Sequence, residues 1–330
     1  MNAQPPIVDV RGLTVDFATG GGNSVRAVAG VDLSLRPGET VALLGESGSG
    51  KSVTLRALMR LHPKSAKFGG SAIVDGRDVL TMKPADLARL RGKIVSMIFQ
   101  DPGLALDPVY RVGDQIVEAV MQHETISKAD ARGRALELFE RVRIPSAQRR
   151  LDNYPHEMSG GMRQRAMIAL ALACRPKVLL ADEPTTALDA TVQIQVLLLL
   201  RELQSELGLA VIFVTHDIGV AVEVADRIAV MYGGRIVEMG NCADVIRGAA
   251  HPYTLGLLAS RTDHSAVKGS RLQAIPGSPP DLTALPPGCS FSPRCPRAVE
   301  RCHQVQPPPV YTGPGHFAAC IRVEGALATA

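Results

Sequence analysis

The stretch GESGSGKS, Gly45–Ser52, constrains this chain more than any other. It matches G-x-x-x-x-G-K-[ST], and its setting says as much as its letters. The apolar run VALL precedes it, and SVTLRALMRL follows with helical spacing. Strand, glycine-rich turn and helix in direct succession point to an α/β fold built around a phosphate loop. Glycines let backbone N–H groups wrap around phosphate oxygens. The helix that follows aims its positive end at the same anion. Gly45, Glu46, Ser47, Gly48, Ser49, Gly50 and Lys51 are therefore candidate nucleotide-binding residues. Lys51 reaches the β- and γ-phosphates, and Ser52 ligates Mg2+.

A second apolar run, KVLLADEP (177–184), ends in two acids. Such a run fits a strand buried on both faces. Acids at its carboxyl end lie where open α/β sheets bind ligands. Asp182 holds Mg2+ through water, and Glu183 orients and deprotonates an attacking water. Phosphate loop and acid pair together describe a nucleotide hydrolase.

Composition limits the alternatives. A length of 330 residues suggests about two domains. Lys plus Arg number 36 against 32 Asp plus Glu, too small an excess to argue for nucleic acid. Trp is absent and aromatics are 4%, which disfavours base-stacking platforms. MNAQPPIVDV lacks the basic and apolar regions of a signal peptide, and no apolar run approaches 18 residues. The expectation is a cytosolic protein whose thiols stay reduced.

Periodicity supplies the elements. Residues 7–17 and 27–35 alternate as antiparallel, half-buried strands do. Helices are expected over 127–142, with Ser127 as N-cap, over 160–174, and over 188–208, ended by Gly208. Residues 210–217 repeat the strand-then-polar form, and 227–240 read as a hairpin about Gly233 and Gly234. From about residue 264 the chain is rich in Pro and Gly and is expected to be loop-like.

These motifs, in this order, resemble the ABC-type ATPases. MSGGMRQR (158–165) is similar to their LSGGQ signature and begins 24 residues before the acid pair. Gln100 in MIFQDP stands as the Q-loop residue and a Mg2+ ligand, Asp189 in ALDA as the D-loop, and His216 in VIFVTHD as the switch histidine. Phe17 resembles the aromatic that stacks on adenine. Met158 and Met162 depart from the usual Leu and Gln, while Ser159, Gly160 and Gly161 remain to grip a γ-phosphate. The resemblance implies a P-loop NTPase (RecA-like) core with an antiparallel β subdomain, a helical signature subdomain (about 101–175) and a loop-rich, Cys-containing C-terminal extension. Residues 1–260 form the nucleotide-binding domain and 261–330 the extension. It also implies ATP held between the phosphate loop of one subunit and the SGG of another.

Residues 154–193, HPYT (251–254) and the tail GCSFSPRCPRAVERC resemble the ATPase subunits of oligopeptide/dipeptide permeases. The implied partners are two transmembrane permease subunits, a second ATPase (a paralogue rather than a second copy) and, indirectly, an extracytoplasmic substrate-binding protein, with no nucleic acid. The implied location is peripheral, on the cytoplasmic face of the inner membrane. The tail holds Cys289, Cys295 and Cys302, with Cys320 beyond. Their spacing lacks the close pairs of structural zinc sites and leaves the metal open. The resemblance favours a [4Fe–4S] cluster, with zinc and unliganded thiols as alternatives. His303 and His316 are reserve ligands read as structural, and Cys174 and Cys242 read as packing residues. The competing function is a soluble ABC ATPase acting on nucleic acid or the ribosome. Such proteins carry two cassettes or a long coiled coil, and neither pattern occurs here.

Overall fold

The computed structural model describes residues 5–19, 24–186, 188–260 and 275–323. Ala187 of the ALDA stretch and residues 261–274, where the expected extension begins, lie outside the described residues. Strands β1 (Val8–Ala18) and β2 (Ser24–Leu35) alternate buried and accessible positions over much of their length. β3 (Thr40–Leu44) is buried at every residue and runs into the phosphate loop, after which α1 (Lys51–Ala57) begins. β4 (Lys67–Val74), β5 (Arg77–Asp78), α2 (Pro84–Lys93) and β6 (Val95–Ile98) come next. Helices α3 (Pro102–Ala105), α4 (Val112–His123), α5 (Lys128–Arg141), α6 (Ala147–Arg150) and α7 (Gly160–Leu172) then follow in succession.

The second acid-ended run becomes β7 (Val178–Asp182), buried throughout. It leads to α8 (Ala190–Leu207), β8 (Ala210–Thr215) and α9 (Ile218–Val224). The expected hairpin is β9 (Arg227–Tyr232) and β10 (Arg235–Asn241), with Tyr232 paired to Arg235 across its turn. α10 (Cys242–Arg247) and α11 (Pro252–Ala259) precede the tail. The tail is not structureless: it contains α12 (Glu300–Gln304), β11 (Val310–Gly313) and β12 (His316–Ala318). β12 pairs antiparallel with both β10 and β11. Strands of three and four residues are too short to show a period in a Pro-rich stretch, so sequence reading missed them.

The chain divides into two compact units, and sequence order does not respect them. The first comprises the described residues up to Val8, Leu35–Glu39 and Ile73–Phe213. Within it β6 and β7 pair in parallel, from Val95 against Val178 to Ile98 against Ala181. α5 packs on α4 and α7, burying Ala131, Ala135 and Phe139.

The second unit comprises Asp9–Ser34, Thr40–Ala72 and the described residues from Val214 onward. Here β2, β1 and β4 are neighbours in one sheet, and β3, β9, β10, β12 and β11 follow one another in another. The β3–β9 pair is parallel, as a sheet fed by crossovers requires. Its core joins Ala42 and Leu44 of β3 to Ile228, Val230 and Tyr232 of β9, Tyr253 of α11 and Phe291 of the tail. Phe291 is 2% exposed and meets Tyr232 edge-on at 5.1 Å.

Candidate functional site

In the second unit the phosphate loop is shaped by two glycines no other residue can replace. Gly50, the N-cap of α1, has φ 101°, and a Cβ there would lie 2.6 Å from Ala27 O. A Cβ on Gly45 would lie 2.2 Å from Met231 O. Lys51 opens α1 almost fully buried, and its Nζ donates to Gly45 O at 2.7 Å and Glu46 O at 2.9 Å. The ammonium thus lies across the loop that is to cradle phosphate. Ser52 is its neighbour on the first turn. Phe17, on β1, packs edge-on against His62 with centroids 5.3 Å apart. His216 stands exposed just after β8.

Acids and signature lie in the first unit. Asp182 ends β7 fully buried. Glu183 takes a left-handed backbone with φ 45°, a strained state that re-aims the chain as it leaves the strand. Its Oε2 accepts from Gln100 Nε2 at 3.4 Å and Thr186 Oγ1 at 3.0 Å. Gln100 and Glu183, 83 residues apart in sequence, therefore meet. Ser159 caps α7, accepting from Met162 N at 3.3 Å, while Gly160 is exposed with open space where a side chain would be. Asp189 caps α8, accepting from Val192 N at 3.0 Å. The buried Asp182 carboxylate is a hard oxygen donor of the kind Mg2+ takes.

Cys289, Cys295, Cys302 and Cys320 all line one narrow cavity of the second unit, together with His251, Phe291 and Arg297. All four are free thiols. Burial pushes Cys289 up to about 11, opposed by a hydrogen bond from the Phe291 backbone and reinforced by Cys320, Cys295 and Cys302. Burial likewise raises Cys295 and Cys320. A positive centre would reverse this by stabilising thiolate, so four soft donors on one cavity suit a thiophilic metal in kind. As the side chains stand, no group of three or more His, Cys, Asp or Glu among the described residues is arranged to hold a metal ion. His316 is engaged elsewhere, its Nε2 2.8 Å from Glu238 Oε1. His303 is exposed on α12. Cys174 is buried with Sγ 3.4 Å from Ala119 O, and Cys242 packs against the core.

Two residues near the phosphate loop had no chemical signal in the sequence. The Tyr253 hydroxyl accepts from Glu46 N at 2.8 Å, and Arg294 grips the Glu46 carboxylate with both terminal nitrogens, at 2.6 and 3.1 Å. Tyr253 lies in HPYT and Arg294 between two cysteines, so sequence marked their neighbourhoods without revealing their targets.

A phosphate loop and an acid-ended strand on this α/β fold make the protein a P-loop nucleotide hydrolase. The Ser-Gly-Gly turn at the head of α7 narrows it to the ATP-binding-cassette class. The ABC transporter family matches residues 28–186, and the oligopeptide/dipeptide transporter C-terminal region matches 237–302. A putative peptide import ATP-binding protein of Brucella melitensis is 48% identical over 97% of this chain and 98% of its own length. The oligopeptide transport ATP-binding protein OppD of Escherichia coli is 47% identical, covering 96% of this chain and 93% of its own. A dimeric ATP-binding cassette solved in a post-hydrolysis state with ADP and Pi matches with a TM-score of 0.64 and 29% identity, over 71% of this chain and 98% of that one. The chain belongs to the ABC transporter ATP-binding proteins, in the branch that carries the oligopeptide/dipeptide C-terminal region, and is an ATPase of that type. No described helix is long and apolar enough to cross a membrane.

Proposed function

We propose that this chain is the ATP-hydrolysing motor of an importer for di- and oligopeptides. The observation that carries the reading is Glu183, set by a strained backbone at the end of a buried strand and touched by Gln100. Relatives named for peptide import and for oligopeptide transport, matched over 98% and 93% of their own lengths, support the substrate class. In this reading Phe17 stacks on adenine, and Gly45–Ser52 holds the phosphates. Ser52, Gln100 and Asp182 hold Mg2+, which neutralises phosphate charge when bound. Glu183 takes the proton of the attacking water as its oxygen bonds the γ-phosphorus and the bond to the bridging oxygen breaks. His216 faces the γ-phosphate. Ser159, Gly160, Gly161 and Asp189 serve the ATP of a second subunit, a paralogue.

Two permease subunits carry the substrate, a binding protein delivers it, and the ATPase sits peripherally on the cytoplasmic face of the inner membrane. Residues 1–260 are the nucleotide domain and 261–330 the extension. The four-cysteine cavity holds an iron–sulfur cluster in preference to zinc. Its support is the convergence of four free thiols on one cavity, three of them from the stretch that matches the peptide-transporter C-terminal region and the fourth, Cys320, from beyond it. The ribosomal or nucleic-acid reading has no observation in its favour.

Glu183→Gln tests the motor. ATP binding should persist while hydrolysis falls by about 10²–10⁴, the usual worth of a general base. A variant hydrolysing at the normal rate would remove Glu183 from its role. Anaerobic purification with iron and sulfide assays tests the cluster. One equivalent of zinc without iron would overturn it.

A further inference from the structure

Gly45–Ser52 is a loop of small residues, and such a loop has little side-chain mass to hold its own shape. Its second residue is nonetheless fixed at three points. The N–H of Glu46 donates to the Tyr253 hydroxyl at 2.8 Å. Its carbonyl accepts from Lys51 Nζ at 2.9 Å. Its carboxylate takes two bonds from Arg294, in the fork geometry that only a guanidinium supplies.

Arg294 is itself anchored. Its side chain is 7% exposed, and Nε donates to Pro276 O at 2.8 Å. Nη1 also reaches the Tyr232 hydroxyl at 3.3 Å. Three rings cluster beside it, tilted or edge-on to one another: Tyr232 and Tyr253 are 4.6 Å apart, and Phe291 is 5.4 Å from Tyr253. The turn that carries Arg294 is closed at both ends by cysteine backbone: Ser292 N donates to Cys289 O, and Cys295 N to Ser292 O. A bidentate pair between residues 248 apart in sequence, with the Arg294 side chain 7% exposed and that of Glu46 26%, takes a guanidinium out of water and is costly to build for surface decoration.

We infer that Arg294 and Tyr253 are positioning residues for ATP: together they latch Glu46 and hold the phosphate loop in its binding shape. The inference rests on the reading of Gly45–Ser52 as the ATP site. A preformed loop avoids the ordering cost at binding, so the latch acts on affinity more than on the chemical step. It also makes the cysteine-bearing turn part of the nucleotide site's support.

The test is binding of the non-hydrolysable analogue AMP-PNP to the full chain by calorimetry, with steady-state ATPase alongside. Arg294→Gln and Glu46→Gln should each raise Kd about tenfold, the scale on which a displaced positioning group acts, and raise KM more than they lower kcat. The double variant should be no worse than either single one, since both break the same latch. Arg294→Lys keeps the charge without the fork and should recover part of the affinity. Kd within twofold of the unaltered chain in a folded Arg294→Gln protein would overturn the latch, as would fully additive effects. Tyr253→Phe removes one oxygen and carries the test if Arg294→Gln does not fold; unchanged Kd there would also overturn it. Failure of the unaltered chain to bind AMP-PNP would overturn the ATP-site reading itself, a result distinct from any of these.

Discussion

His251 shows how much of one residue's role depends on burial that the sequence does not display. It stands first in HPYT, where it serves as N-cap of α11, its Nδ1 accepting from Tyr253 N at 3.1 Å. Burial pushes its pKa down to about 4 from an ordinary 6.5. The folded chain therefore keeps it neutral where the unfolded chain protonates it. Its stability contribution is complete above pH 6.5 and is lost as pH falls from there through about 4. The slope is about 1.4 kcal/mol per pH unit, or roughly 3 kcal/mol over the whole window. Urea unfolding at pH 7 and pH 5 should show this loss, and His251→Asn, which keeps an acceptor for the Tyr253 N–H, should flatten it. An equal pH slope in both proteins would place the titrating group elsewhere. Glu183 makes the same point: its acid was legible in ADEP, but its left-handed backbone was not, since that follows from how β7 ends.

At the scale of elements, the Ser127 cap was legible because capping is local chemistry, whereas Ser159 and Asp189, read as signature and D-loop residues, prove to be caps as well. Ser127, Ser159 and Asp189 each accept a backbone N–H three residues on, and each stands just before its helix begins. The short strands were not read, because β11 and β12 exist by pairing with each other and with β10. Non-local pairing leaves no mark in a Pro-rich segment. Caps also separate structure from function. Ser127→Ala and Ser159→Ala remove the same kind of bond, at 3.1 and 3.3 Å, and each should cost about 1 kcal/mol of stability. Only Ser159, exposed beside the open Gly160, should also lower ATPase activity, and only in the assembled dimer. Thermal unfolding and steady-state ATPase assays of the two variants check this. Equal activity in both would leave Ser159 as a cap and nothing more.

At the scale of the whole chain, sequence reading divided the protein by composition, setting the Pro- and Gly-rich tail apart from the cassette. The second compact unit contains both the described residues of the tail and the phosphate loop. Phe291 sits in one core with Leu44, Val230 and Tyr253. Glu238, fully buried on β10, accepts from Ala250 N and His251 N and meets His316 of β12. An appended tail and an integrated one differ in what a single core deletion does. If the tail folds as a separate body, Phe291→Ala should unfold the tail alone and leave the main transition unmoved. With the ring packed against Tyr232 at 5.1 Å and 2% exposed, the deletion should cost about 3–5 kcal/mol and shift the same transition that reports loss of the phosphate loop. Differential scanning calorimetry, read together with the AMP-PNP-induced rise in melting temperature, distinguishes the two. A second, earlier transition that nucleotide does not move would show an extension that folds as a separate body.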